Sequence, residues 1–306
     1  MINGMRLFKR RFNEVSFGTK SALHIIFIIY ALACILPVVL VFMISITDEM
    51  TTLKNGYSLF PEKIDFLSYR YLFSDINTIT RAYLITIFVA ITGTTLNILI
   101  TAAYSYPLSR NTFHFKSFFT VLILIPMLIG GGMVPFYIVY VNVLQVKNSL
   151  LALILPGLFG GFNAFVVRTY LKANDLTSML EAAYLDGASE VRIFFAIVIP
   201  LSKPVLATIA FFSFLGYWND WYNCLLFIDD TKMYNIQYVM MRALREAEYL
   251  RNNLKTIGYL REELNKVPSE NIRMAMAVVG MGPILIAYPF FQKYFIKGMV
   301  IGAVKG

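Results

Sequence analysis

Of the 306 residues, 58% are apolar and only 15% are charged, with a mean hydropathy of +0.64, which excludes an ordinary soluble globular domain. The net charge of +9 does not indicate nucleic acid, because the basic residues flank apolar stretches instead of forming one patch, and anionic lipid headgroups account for them. Cys34 and Cys224 both lie in apolar stretches, so neither a disulfide nor a metal site is implied, and the two histidines, His24 and His114, exclude a histidine-rich metal centre.

A hydrocarbon layer roughly 30 Å thick is crossed by about 20 apolar helical residues. The chain opens with a basic tail, 1–20, in which Arg6, Lys9, Arg10, Arg11 and Lys20 face the single acid Glu14. The first span is predicted at 21–46; it is too long for a removable signal peptide and lacks a small-residue cleavage site. After a polar stretch, 47–81, a second span is expected at 82–106, with Asn97 inside it.

The third, 117–143, is interrupted by Pro126, the run Gly130, Gly131, Gly132, and Pro135. Freed backbone in a span must line protein or water, so two readings stand for Gly131: a pathway element or a packing notch. The fourth span, 150–170, carries Gly157 and Gly161 at small-xxx-small spacing, which suits helix packing. It also carries Asn163, which, like Asn97, either lines a pathway or hydrogen-bonds across helices.

A polar segment, 171–203, precedes the fifth span, 204–228, which contains Tyr217-Trp-Asn-Asp-Trp-Tyr-Asn223 and the one acid within any span, Asp220. At about 1.5 Å per residue Asp220 lies on the order of 24 Å along, in the outer leaflet. Trp218, Asn219, Trp221 and Asn223 supply aromatic faces and amides of the kind sugars need; the alternative is an interfacial aromatic belt with Asp220 satisfied by neighbouring helices.

In the following segment, 229–273, Ile236, Met240, Leu244, Leu254, Ile257, Leu260 and Leu264 recur at helical spacing, either to meet another protein or to cover the bundle. The sixth span is expected at 274–295, and the chain closes with a short tail, 298–306. The fold class is thus all-α, six spans over 21–297 between two basic tails. The basic residues of the first tail, and Lys297 and Lys305 after the last span, place both termini in the cytoplasm; an even number of spans agrees, and puts 171–203 inside and 47–81 and 229–273 outside. The eight Lys and Arg of 229–273 oppose that orientation, although seven acids accompany them.

The 171–203 segment reads as helix, glycine, helix. Ser178 and Glu181 have capping-box spacing, Ala182 and Ala183 favour helix, and Gly187 ends the first piece. A second piece begins near Ser189, with Val191, Phe194, Phe195 and Val198 at helical spacing, and Pro200 stops it. Such a pair either seats in a cleft of a soluble partner or lies passively on headgroups.

Glu181-Ala182-Ala183, three residues, Gly187, nine residues, Ile197, one residue, Ile199-Pro200 resembles the signature of binding-protein-dependent ABC transporter permeases, with Ile199 where leucine is usual. Asp186-Gly187-Ala188 and Pro200-Leu-Ser-Lys-Pro204 look like the same family. The Trp218-Asn219-Asp220 signature resembles the maltose-type, carbohydrate branch, and Gly131–Tyr137 and Tyr288–Gly306 resemble its complex-oligosaccharide subgroup. The likeness runs from Ser21 to the end, weakest over 240–268.

It implies a transport subunit, not an enzyme, whose 171–203 segment docks on a cytoplasmic ATPase through Glu181, Ala182, Ala183, Asp186, Gly187, Ile197 and Pro200. The implied partners are a second, related permease, two ATPases that hold ATP and Mg, an external solute-binding protein and an oligosaccharide. No Gly-x-x-x-x-Gly-Lys-Ser/Thr loop occurs, so this chain lacks that means of holding ATP. The rival readings are an importer of the same family for a non-sugar solute, an ion-coupled secondary transporter, for which paired intramembrane charges and inverted repeats are missing, and a membrane enzyme, for which no nucleophile and base cluster is readable.

Overall fold

The computed structural model describes residues 17–174, 176–256 and 270–303, and among these the chain is helical, with one isolated bridge between Thr47 and Ile64. Helix α1, Phe17–Ser45, is exposed along most of its length and packs against the last helix. Two short helices follow, α2, Glu49–Asn55, and α3, Leu67–Leu72. Asp48 starts α2 by accepting from the Thr51 N–H at 3.2 Å, and Gly56, at φ 78°, ends it.

Helix α4, Ile76–Ser109, is the central element, and Asp75 caps it by accepting from the Thr78 N–H at 3.1 Å. That cap explains why the second span starts upstream of the expected residue 82. The buried stripe of α4 is rich in small and hydroxyl residues, among them Thr86, Ala90, Gly93, Thr94, Asn97, Thr101, Ala102 and Ser105. Small side chains let neighbouring helix backbones approach closely, and α4 is flanked by α8 and α12, defined below.

The next three apolar stretches are broken. Helix α5, Lys116–Leu128, and helix α6, Met133–Ile138, which runs on as a π turn over Val139–Val143, meet at 117°. Helix α7, Leu151–Ile154, with a 3₁₀ turn over Leu155–Gly157, meets helix α8, Gly161–Ala173, at 48°. After α9, Thr177–Leu185, come α10, Glu190–Ile193, a π turn over Phe194–Val198, and α11, Ile199–Leu201, which turn 80° into α12, Lys203–Trp218. Then follow α13, Tyr222–Phe227, α14, Ile236–Thr256, and α15, Glu270–Ala303.

The six expected spans are thus not six unbroken helices. Among the described residues two helical runs are long and apolar enough to cross a membrane unbroken, Gly18–Ser45 and Leu67–Ser109, and the number reaches five when each bent pair is one crossing. The run Gly130–Gly132 breaks the third stretch and the Leu158–Gly160 turn the fourth, while the break before α12 falls at Ser202. The expected fifth span also ends early: α12 stops at Trp218, and Asp220 lies in the break before α13. The 34 residues of α15 contain the sixth apolar stretch.

The 229–273 segment does hold a helix. Ile236, Met240 and Ala247 of α14 are buried with Leu72, Ile79, Trp218, Ile272 and Met276, and Leu244 packs beside them, so α14 covers the bundle. Ile257, Leu260 and Leu264 lie outside the described residues. The start of α15 is braced by Glu49, 7% exposed, whose carboxylate accepts from the Glu270 and Asn271 N–H groups at 3.2 Å each.

Candidate functional site

At one end of α4 the chain presents the α9 to α11 segment. Leu180 of α9 and Ile193 of α10 are buried with Ala102, Tyr106, Val167, Leu171, Val198 and Leu206, which anchors the segment to α4, α8 and α12. Its outer surface is left open: Glu181, Ala182, Asp186, Gly187 and Pro200 are exposed, Ala183 and Ile197 are half-buried, and Leu185 is 89% exposed. An apolar side chain so bare, between an exposed acid pair, is what a protein-docking surface presents.

The local conformation follows the residues in part. Gly187 has φ 75°, a left-handed backbone that suits glycine, and Ser189 caps α10 by accepting from the Arg192 N–H at 3.3 Å. The capping box at Ser178 and Glu181 does not form. Helix α9 begins at Thr177 after Leu176, whose carbonyl accepts from the Leu180 N–H at 2.9 Å, so Ser178 sits inside the helix.

Pro200 does not stop the second piece either. The π turn before it, in which the Ile199 N–H reaches the Phe194 carbonyl, makes room for the proline ring, and the break falls at Ser202. Nor is the expected apolar stripe buried as one face: Val198 is, but Val191 and Phe195 are 68% and 56% exposed.

Four side chains tie this segment to the end of α4. Arg110 Nη1 donates to Tyr184 Oη at 2.7 Å and to Glu190 Oε1 at 2.8 Å. The Tyr106 hydroxyl donates to Glu190 Oε2 at 3.2 Å, and the Tyr184 hydroxyl donates to Glu190 Oε1. Partial burial works against ionisation of Glu190, but the hydrogen bonds from Tyr184 and Arg110 and the charge of Arg110 outweigh it and hold the carboxyl below its ordinary range. None of these four stands out in the sequence, because the partners of Arg110 lie 74 and 80 residues away; a basic residue just past a span is the one available signal.

Further along the bundle a cleft of about 420 Å³ opens between α4, the α7–α8 break and α12. It is lined by Asn97, Asn163, Ser213, Asp220 and Asn223 with Phe159, Phe212 and Tyr217. Asn97 bridges helices, donating to the Gly157 carbonyl at 2.8 Å and accepting from Ser213 Oγ at 2.9 Å. Asp220 accepts from the Asn223 N–H at 3.0 Å and from Asn223 Nδ2 at 2.8 Å, and its carbonyl accepts from Asn235.

The pathway residues read from the sequence thus divide. Asn163, Asp220 and Asn223 meet at the cleft, whereas Asn219 and Trp221 line a separate groove with Gln237, Met240 and Arg273. Trp218 is 1% exposed, donates its indole N–H to the Gly280 carbonyl at 3.0 Å and stacks on Phe214, so it is a packing residue between α12 and α15. Gly131 sits exposed at the α5–α6 bend, and added Cβ atoms at Gly130, Gly131 and Gly132 meet nothing within 4 Å, so no described part of this chain packs into the run. Gly157 and Gly161 do act as notches, the first for Tyr217 and the second for Ile123 and Met127.

Comparison with known proteins agrees with this architecture. Protein LplC of Bacillus subtilis is 35% identical over 89% of this chain and 90% of its own length. The polygalacturonan/rhamnogalacturonan transport system permease protein YtcP of the same organism is 32% identical over 91% of this chain and 95% of its own. A crystal structure of a bacterial ABC transporter involved in the import of the acidic polysaccharide alginate superposes a chain with a TM-score of 0.73 and 24% identity, covering 92% of this chain and 99% of that one, and so shares the fold. Residues 99–301 match the family described as binding-protein-dependent transport system inner membrane component, and the chain, a multi-pass permease subunit of an ABC importer, belongs to that family.

Proposed function

We propose that this chain is one of two related permeases that together form the path for an oligosaccharide, delivered by an external solute-binding protein and driven by two cytoplasmic ATPases that bind ATP and Mg. The observation that carries this reading is the pairing of an exposed docking surface at one end of α4, around Glu181, Leu185 and Gly187, with an amide-lined cleft further along it. Amides and aromatic rings suit hydroxyl-rich cargo, and relatives are named for sugar polymers and oligosaccharides. In this arrangement both termini and the α9 to α11 segment face the cytoplasm. Closure of the ATPases shifts that segment and turns the cleft from inward to outward access, a coupled two-state change.

The test is uptake into proteoliposomes holding the whole complex, with oligosaccharides of graded length. ATP-dependent uptake that disappears when Glu181–Gly187 is replaced by a flexible linker is the expected result. Uptake surviving that replacement, or labelling of a Leu185→Cys variant from the external side, would remove the proposal.

A further inference from the structure

We infer that Arg110 is a positioning residue that fastens both halves of the docking segment to α4, so that a push on α9 is delivered to the helix lining the cleft. The inference rests on the reading that α9 docks on an ATPase, and it names the joint through which that motion passes.

The geometry is that of a joint. Arg110 stands immediately after α4, at its C-terminal boundary, with its own N–H on the Pro107 carbonyl at 3.1 Å. One guanidinium nitrogen reaches Tyr184, near the end of α9, and Glu190, the first residue of α10, while the guanidinium carbon lies 5.3 Å from the Tyr184 ring centroid and 5.7 Å from that of Tyr106. A planar guanidinium offers several donors and a stacking face at once, which an ammonium group cannot. Both oxygens of Glu190 are engaged, one by Tyr106 and the other by Arg110 and Tyr184. Removing any one member leaves the others short of a partner.

An isolated surface ion pair contributes little, and Glu190 is 58% exposed, but here the pair is networked with Tyr106 and Tyr184. Two open clefts, of about 430 and 530 Å³, share Tyr106 and Arg110 in their walls, the first together with Tyr184 and the second with Glu190. Tyr184 lies one helical turn from the exposed Glu181, and displacement of α9 must therefore move it. From Arg110, α4 runs as one helix past Asn97, whose bonds to Gly157 and Ser213 reach the cleft wall.

The experiment uses the complete complex, this chain with the second permease, the ATPases and the binding protein, in proteoliposomes, and reads ATP hydrolysed per sugar moved. Tyr184→Phe and Arg110→Gln should keep ATP hydrolysis while raising that ratio about three- to tenfold. Arg110→Glu should be worse than either, and Arg110→Glu with Glu190→Arg should recover a large part of the loss. An unchanged ratio in Tyr184→Phe and Arg110→Gln would overturn the inference, as would a reciprocal pair no better than Arg110→Glu alone. Tyr184→Phe removes a single hydroxyl, so where the charge variants fail to assemble its ratio decides. An unmodified complex that hydrolyses ATP but moves no sugar would sink the functional reading, a result distinct from uncoupling confined to the variants.

Discussion

Tyr217 is gripped between two glycines that belong to different helical elements. A Cβ at Gly93 would lie 2.4 Å from the ring and one at Gly157 2.7 Å, while the hydroxyl donates to the Ile154 carbonyl at 2.8 Å. Gly93→Ala and Gly157→Ala should each destabilise by about 1–3 kcal/mol through overpacking, read as a lower thermal midpoint in detergent. Gly130→Ala, with open space around it, should leave the midpoint within experimental scatter. Gly187→Ala meets no atom but imposes a left-handed backbone on a residue with a side chain, at a cost of about 1 kcal/mol. Its effect should appear as weakened transport at normal assembly, since the strain falls on the docking surface.

At the scale of elements, the α9 to α11 segment should loosen in acid. Because the folded carboxyl of Glu190 sits below its ordinary range, its contribution is fully present above the unfolded value and is lost as pH falls through the depressed folded value. Hydrogen exchange over residues 177–201, followed through the acidic range, should show the segment loosening, and Glu190→Gln should abolish that pH dependence.

The same segment shows what the sequence can and cannot disclose. Gly187 and Ser189 were legible because a left-handed turn and a helix cap each select for residue type. Ser178 misled because the start of α9 is set by Leu176 and Leu180, the latter packed in tertiary contacts that no local pattern encodes. Pro200 misled because a π turn absorbs it. The glycine and proline content of 117–143 announced a break but not its 117° angle. In the cleft, Asn163, Asp220 and Asn223 could be picked out as polar residues in apolar surroundings, yet only the folded chain separates them from Trp218, whose neighbours come from α4 and α15.

Considered whole, the chain leaves large apolar areas uncovered, most of α1 among them, as a multi-pass membrane subunit does. Purified with the second permease of the proposed complex, the chain should show a higher thermal midpoint than alone, by mass action on the folded form. An equal midpoint in the two preparations would mean that the two chains do not form a stable pair.

The brace at Glu49 has a consequence for biogenesis. A carboxylate sealed away from water lacks two of its donors until residues 270 and 271 have emerged from the ribosome, more than two thirds of the chain later. The N-terminal third therefore cannot settle into its final form during synthesis, and a nascent chain truncated before α15 should remain open to proteases at the α1–α2 junction however long it is allowed to mature.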